Sequence, residues 1–163
     1  MPMNKRVWAI VAIVAVAGVL LLLRSSLFGP SDRQLIREAV EQSAQASREG
    51  RPGGVLEYLS KSLTFNDLPA DSRAEIAKFI SQSKPEVEIR NPEPVISGNT
   101  AEIVTPVQVK FSYLAFSFDQ EIPNVRIVLQ KEAGTKWLII PTKKWRIVSI
   151  TAPEISASEF MSN

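Results

Sequence analysis

Acid–base work in this sequence falls to carboxylates, phenols, hydroxyls and lysines, because its 163 residues include no His and no Cys. That composition excludes disulfides, thiolate nucleophiles, zinc sites built on Cys or His, and any His-based triad or proton shuttle. Carboxylate-only sites for Mg²⁺ or Ca²⁺ stay formally open. Tyr58 and Tyr113 are the two phenols. Paired with a carboxylate base in an apolar pocket, a phenol would suit an isomerase-type proton transfer. Glu102 and Asp119 are the carboxylates on predicted strands, but alternation puts both on the face opposite their apolar neighbours, where solvated groups ordinarily sit. No Gly-rich phosphate loop, nucleophile elbow or acidic metal cluster occurs. No catalytic residue is assigned, and no metal or cofactor is expected.

Aromatic side chains are the remaining candidates for a site. Tyr58, Phe111, Tyr113, Phe116, Phe118, Trp137 and Trp145 are expected to line a pocket if one exists. The competing expectation for the tryptophans is that they fill the core between sheet and helices, where large aromatics bury most area. Tyr113 competes as an aromatic at the core's edge.

The elements that must position these residues follow from periodicity. Ser31, with Gln34 three residues on, predicts a capping box opening a helix that ends at Gly50. Its inward face is Leu35, Ile36, Ala39, Val40 and Ser43. A shorter helix is expected over Gly54 to Leu63, burying Val55, Leu56, Leu59 and Leu63. A third opens at Ser72, again with a capping box to Glu75, and stops before Pro85. Beyond Pro85 the period changes to two. Ile103, Thr105, Val107, Val109, Phe111 and Tyr113 share one strand face. Phe116, Phe118 and Ile122 continue on even numbers, whereas Val125, Ile127 and Leu129 fall on odd ones, which predicts a bulge at Pro123–Asn124. Ala133–Gly134 is expected to turn. Apolar runs at Trp137–Ile140 and Trp145–Ile150 are separated by Pro141–Lys144, which reads equally as a hairpin loop or a bulge. Helices first, then four to six antiparallel strands, is the order of an α+β fold with helices on one face of a curved sheet.

Charge is unevenly placed. Lys5, Arg6 and Arg24 flank an apolar run, while residues 31–163 hold the other 16 basic and all 17 acidic residues, a net charge of −1. A nearly neutral body offers no general attraction to phosphate backbones, so nucleic acid is not an expected partner. Val7 to Leu23 is uncharged throughout, with Trp8 near its first boundary. It predicts an uncleaved single-pass anchor over residues 7–28, partnered with the lipid bilayer. The compact Lys5–Arg6 pair suggests a signal anchor at the cell membrane, with the C-terminal domain outside the cytoplasm. The expected organisation is a tail at 1–6, the anchor at 7–28, a linker at 29–30, one domain at 31–152 and a frayed tail at 153–163. Lys131, Lys136, Lys143, Lys144 and Arg146 gather near the last turns, either as solvated strand ends or as a patch for anionic lipid headgroups.

The order of elements resembles the nuclear transport factor 2-like superfamily, the α+β cone shared with ketosteroid isomerases and SnoaL-like proteins. The resemblance covers about residues 31–152. It is carried by Arg48-Glu49-Gly50 after the first helix, by Gly54-Val55-Leu56-Glu57-Tyr58-Leu59-Ser60, and by the final strand Lys144-Trp145-Arg146-Ile147-Val148-Ser149-Ile150. The resemblance implies a cone with an interior that enzymes of the superfamily use for catalysis and other members use for binding. The catalytic Tyr of its enzymes lies on the first helix, yet residues 31–49 contain no Tyr. Function is therefore expected to be noncatalytic: a membrane-anchored interaction domain at the cell envelope, self-associating through its sheet or binding an envelope protein. The alternative is a small-molecule binder, or an isomerase or lyase, using the apolar cone interior.

Overall fold

The computed structural model describes residues 14–19, 30–70, 72–136 and 140–153. The chain divides into two units between Ser31 and Asp32. The described residues of the first are the helical residues 14–19 (α1) and residues 30–31. Single-pass localisation at the membrane, with the following domain outside the cytoplasm, is overturned here. Among the described residues no helix is long and apolar enough to cross a membrane. Apart from α1, residues 7–28 lie outside the described residues, and no bilayer or envelope partner is supported.

The second unit begins with α2 (Asp32–Arg48), whose buried residues Ile36, Ala39, Val40, Ser43, Ala46 and Ser47 form one stripe at helical spacing. Gly50 ends it in a left-handed conformation (φ 66°). There the Gly50 N–H donates to the Ser47 carbonyl and the Arg51 N–H to the Ala46 carbonyl, the paired bonds of a Schellman cap. Pro52 then opens the short α3 (Pro52–Leu56), since a residue without an N–H loses nothing in a helix's first turn.

The expected helix over Gly54–Leu63 is corrected at this point. Only its first part is helical, and Leu59–Phe65 is the strand β1. Leu59, Leu63 and Phe65 satisfy a strand's period as well as a helix's, and pairing decides. β1 lies parallel to the last strand, with Leu59 opposite Ile147 and Phe65 opposite Ile150. β1 turns through Asn66 and Asp67, both left-handed (φ 48° and 64°), into β2 (Leu68–Pro69), the geometry of a two-residue hairpin loop. α4 (Arg73–Ser83) follows, with the capping box in place: Ser72 Oγ accepts from the Glu75 N–H, and the Glu75 carboxylate accepts from the Ser72 N–H.

β3 (Glu86–Ile89), β4 (Val95–Ser97), β5 (Thr100–Tyr113), β6 (Phe116–Lys136) and β7 (Ile140–Thr151) complete a seven-stranded sheet. Its order is β2-β1-β7-β6-β5-β3, with β4 also paired to β5. The bulge expected at Pro123–Asn124 is present. Thr105 faces Val125 and Val107 faces Ile122, so β6 carries one extra residue there, and Asn124 takes φ 54°. The bulge returns Val125, Ile127 and Leu129 to the face already occupied by Phe116, Phe118 and Ile122. No turn forms at Ala133–Gly134. β6 continues to Lys136, with Ala133 opposite Lys143 and Gly134 opposite Thr142. Pro141–Lys144 is regular strand, and the extra residue of β7 is Val148, between Ile147 opposite Leu129 and Ser149 opposite Val128.

The helices pack on one face of this curved sheet, α2 against β3 and β7 and α4 against β5. Ile36, Val40, Ile103, Leu129 and Trp145 are its most completely buried side chains.

Candidate functional site

Between α2 and the concave face of the sheet lies a cavity of about 500 Å³. Val107 and Val109 from β5, Ile122, Val125 and Ile127 from β6, and Ile147, Ile150 and Ala152 at the end of β7 form one wall. Val55, Leu59, Leu63 and Ile76 close the sides. The alternation of β5 and the bulges in β6 and β7 bring these side chains to one face. The mouth is at the β1–β2 hairpin, where the lining residues Phe65 and Leu68 are 38% and 58% exposed.

Ser43, Ser47 and Asn66 are the polar residues of the lining. Ser43 and Ser47, one turn apart on the buried stripe of α2, donate from their Oγ atoms to the Val40 carbonyl at 2.9 Å and the Pro85 carbonyl at 2.8 Å. Asn66 ties the hairpin to β7: Oδ1 accepts from the Ala152 N–H at 2.7 Å and Nδ2 donates to the Ala152 carbonyl at 3.4 Å. Among the described lining residues none carries a titratable side chain. Sequence reasoning placed Ser43 on the inner face of α2 but passed over all three as site residues; two serines four apart on an otherwise apolar stripe were the available signal.

The aromatic candidates lie elsewhere. Tyr58 sits after α3, half-buried, with the Lys144 ammonium 4.7 Å from its ring centre. Burial foremost, then the charges of Glu57 and Glu38, pushes its phenol above its ordinary value. Trp145 is 1% exposed and fills the core; its Nε1 donates to Asp32 Oδ1 at 3.1 Å. Phe111, Tyr113, Phe116 and Phe118 cluster at the far end of the β5–β6 hairpin. Phe111 stacks on Phe118 at 5.4 Å and meets the edge of Phe79 at 5.2 Å, and Tyr113 donates its hydroxyl to Gln82. None of these six lines the cavity. Trp137 lies outside the described residues.

The outer-face carboxylates are engaged, Glu102 with Arg126 at 3.2 Å and Asp119 with Gln108 at 2.7 Å. Of the late basic residues, Lys131 pairs with Asp32, Lys144 with Glu57 and Arg146 with Glu132. The side chains of Lys136 and Lys143 lie outside the described residues.

Comparison with solved structures finds the same arrangement repeatedly. An NTF2-like protein from Cytophaga hutchinsonii superposes with a TM-score of 0.58 at 12% identity, covering 75% of this chain and 97% of the other. The CaMKII hub of S. rosetta gives 0.56 at 15% identity over 75% and 95%. A putative ketosteroid isomerase from Shewanella frigidimarina gives 0.50 at 15% identity over 72% and 93%. The fold is nuclear transport factor 2-like. At these identities the likeness establishes the fold and leaves activity to the site. No protein-family model matches the sequence, and no curated protein matches it. The nuclear transport factor 2-like cone of this chain has an open interior whose described walls are mostly aliphatic, with Ser43, Ser47 and Asn66 as their polar residues.

Proposed function

We propose that this chain is a noncatalytic binding domain that takes an apolar small molecule into the interior of its cone. The observation that carries this reading is a 500 Å³ cavity whose described lining is apolar apart from Ser43, Ser47 and Asn66. Pockets of this size suit small ligands. Proton transfer would require a group of tuned pKa facing the substrate, whereas Tyr58, Tyr113, Glu102 and Asp119 all lie away from the lining. Titrating the full-length protein with Nile red should give saturable, one-to-one fluorescence enhancement. Leu63→Trp and Val109→Trp, on opposite walls, should each abolish it while leaving the circular dichroism spectrum unchanged. Enhancement that survives both substitutions would overturn the reading.

A second reading, self-association, is favoured by the exposed end of the β5–β6 hairpin, where Leu114 is 92%, Phe116 48% and Phe79 37% exposed. Isolated apolar side chains are common on surfaces, but contiguous ones mark contacts, and the likeness to a hub domain supports contact with a second copy. Sedimentation of the full chain should show a concentration-dependent dimer that Phe116→Ser converts to monomer; monomer at every concentration would dismiss this reading.

A further inference from the structure

We infer that the cavity selects a ligand whose buried polar group is a hydrogen-bond donor: an aliphatic alcohol, entering hydroxyl first, in preference to an ether, ketone or carboxylate. This rests on the binding reading above. The argument is a donor and acceptor inventory. A serine hydroxyl has one proton and two lone pairs. Ser43 and Ser47, both in the lining, spend their protons on the carbonyls of Val40 and Pro85, so each hydroxyl keeps lone pairs and no proton for a ligand. The Ser47 bond also ties α2 to the residue before β3, and redirecting its proton would cut that tie. Asn66, at the mouth, gives its C=O and one of its two carboxamide N–H groups to the backbone of Ala152.

A carbonyl, ether or carboxylate oxygen brought in from solvent would therefore give up water and meet other acceptors, while an O–H donor finds two buried partners. Charge is disfavoured on a second count, since the described lining holds no cation to pair with a carboxylate. The walls also speak to the hydrocarbon. Phe65, at the exposed mouth, is the one aromatic ring among the described lining residues, so an alkyl chain meets methyl groups throughout the interior. Ser43 and Ser47 are buried and Phe65 and Leu68 exposed, which orients the hydroxyl inward and the hydrocarbon toward the mouth.

Displacement of Nile red from the full-length protein by dodecanol, its methyl ether and dodecanoate tests this. Dodecanol should compete about tenfold more tightly than the ether, the worth of one buried hydrogen bond, with dodecanoate weaker than both. The double variant Ser43→Ala, Ser47→Ala should bring alcohol and ether within about twofold of each other, each read against that variant's own Nile red affinity. Ser43→Ala alone, which keeps the Ser47–Pro85 tie, should remove part of the preference and serves if the double variant does not fold. Equal competition by alcohol and ether, or a preference that survives the substitutions, overturns donor selection and leaves the binding domain standing. Failure of both Nile red and dodecanol, the latter titrated directly by calorimetry, to bind the wild-type protein overturns both.

Discussion

Trp145 shows how much a single buried side chain holds in place. Its indole N–H reaches Asp32 Oδ1 at 3.1 Å, and Lys131 Nζ lies 2.7 Å from the same oxygen and 5.3 Å from the indole centre. The start of α2 is thereby tied to β6 and β7. Trp145→Phe keeps most of the apolar volume but removes the donor from a partly buried carboxylate, which should cost about 1–3 kcal/mol in chemical denaturation; Trp145→Ala adds a cavity and should cost about 3–5 kcal/mol. Tyr58 offers a test by pH. Burial first, then Glu57 and Glu38, raises its folded pKa, so the folded protein holds the phenolic proton more tightly than the unfolded chain. Its contribution to stability is complete below the unfolded value of about 10 and is lost as pH rises through the folded one. Phenolate absorbance in a Tyr113→Phe variant, which leaves Tyr58 as the one phenol, should accordingly rise above the ordinary value; a transition at the ordinary value would contradict the burial argument.

At the scale of elements, the α2–α3 contact is set by glycine. A Cβ on Gly54 would stand 2.7 Å from the Ala46 Cβ, whereas one on Gly53 would meet nothing within 4 Å. Gly54→Ala should therefore destabilise by about 1–3 kcal/mol through overpacking, and Gly53→Ala should be neutral or gain up to about 1 kcal/mol of helix propensity; equal effects in thermal melts would show that the two helices do not approach this closely. The elements most legible from sequence were those with a local cause. The Ser72–Glu75 capping box and the Pro123–Asn124 bulge depend on neighbours in the chain, and both form as expected. Those missed depend on the strands that pair with them. β1 is a strand because Leu59 and Phe65 pair with Ile147 and Ile150 across more than half the domain, and Ala133–Gly134 stays extended because Thr142 and Lys143 lie opposite. The site was hidden for a related reason: aromatic residues drew the attention, yet the residues that leave space are small or aliphatic ones brought together by the register of three long strands.

The whole domain carries an apolar cavity that opens at the β1–β2 hairpin. Close-packed interiors leave few spaces larger than a water molecule, so 500 Å³ of open interior forgoes dispersion contacts that the same side chains would otherwise make. An apolar occupant restores those contacts only in the folded state, and its binding must therefore appear as stability. At a free concentration one hundred times its Kd, a ligand seated in the cone should contribute about 2.7 kcal/mol, which for a domain of this size raises Tm by roughly 10 °C. The shift should be absent in Leu63→Trp, whose indole occupies part of the space. Pressure supplies an independent measure, because unfolding under pressure is driven by eliminated void volume. The bound protein should show a smaller volume change of unfolding than the free one, and Leu63→Trp should lie near the bound value without any ligand. A ligand that raised Tm in wild type and Leu63→Trp alike would be binding outside the cone.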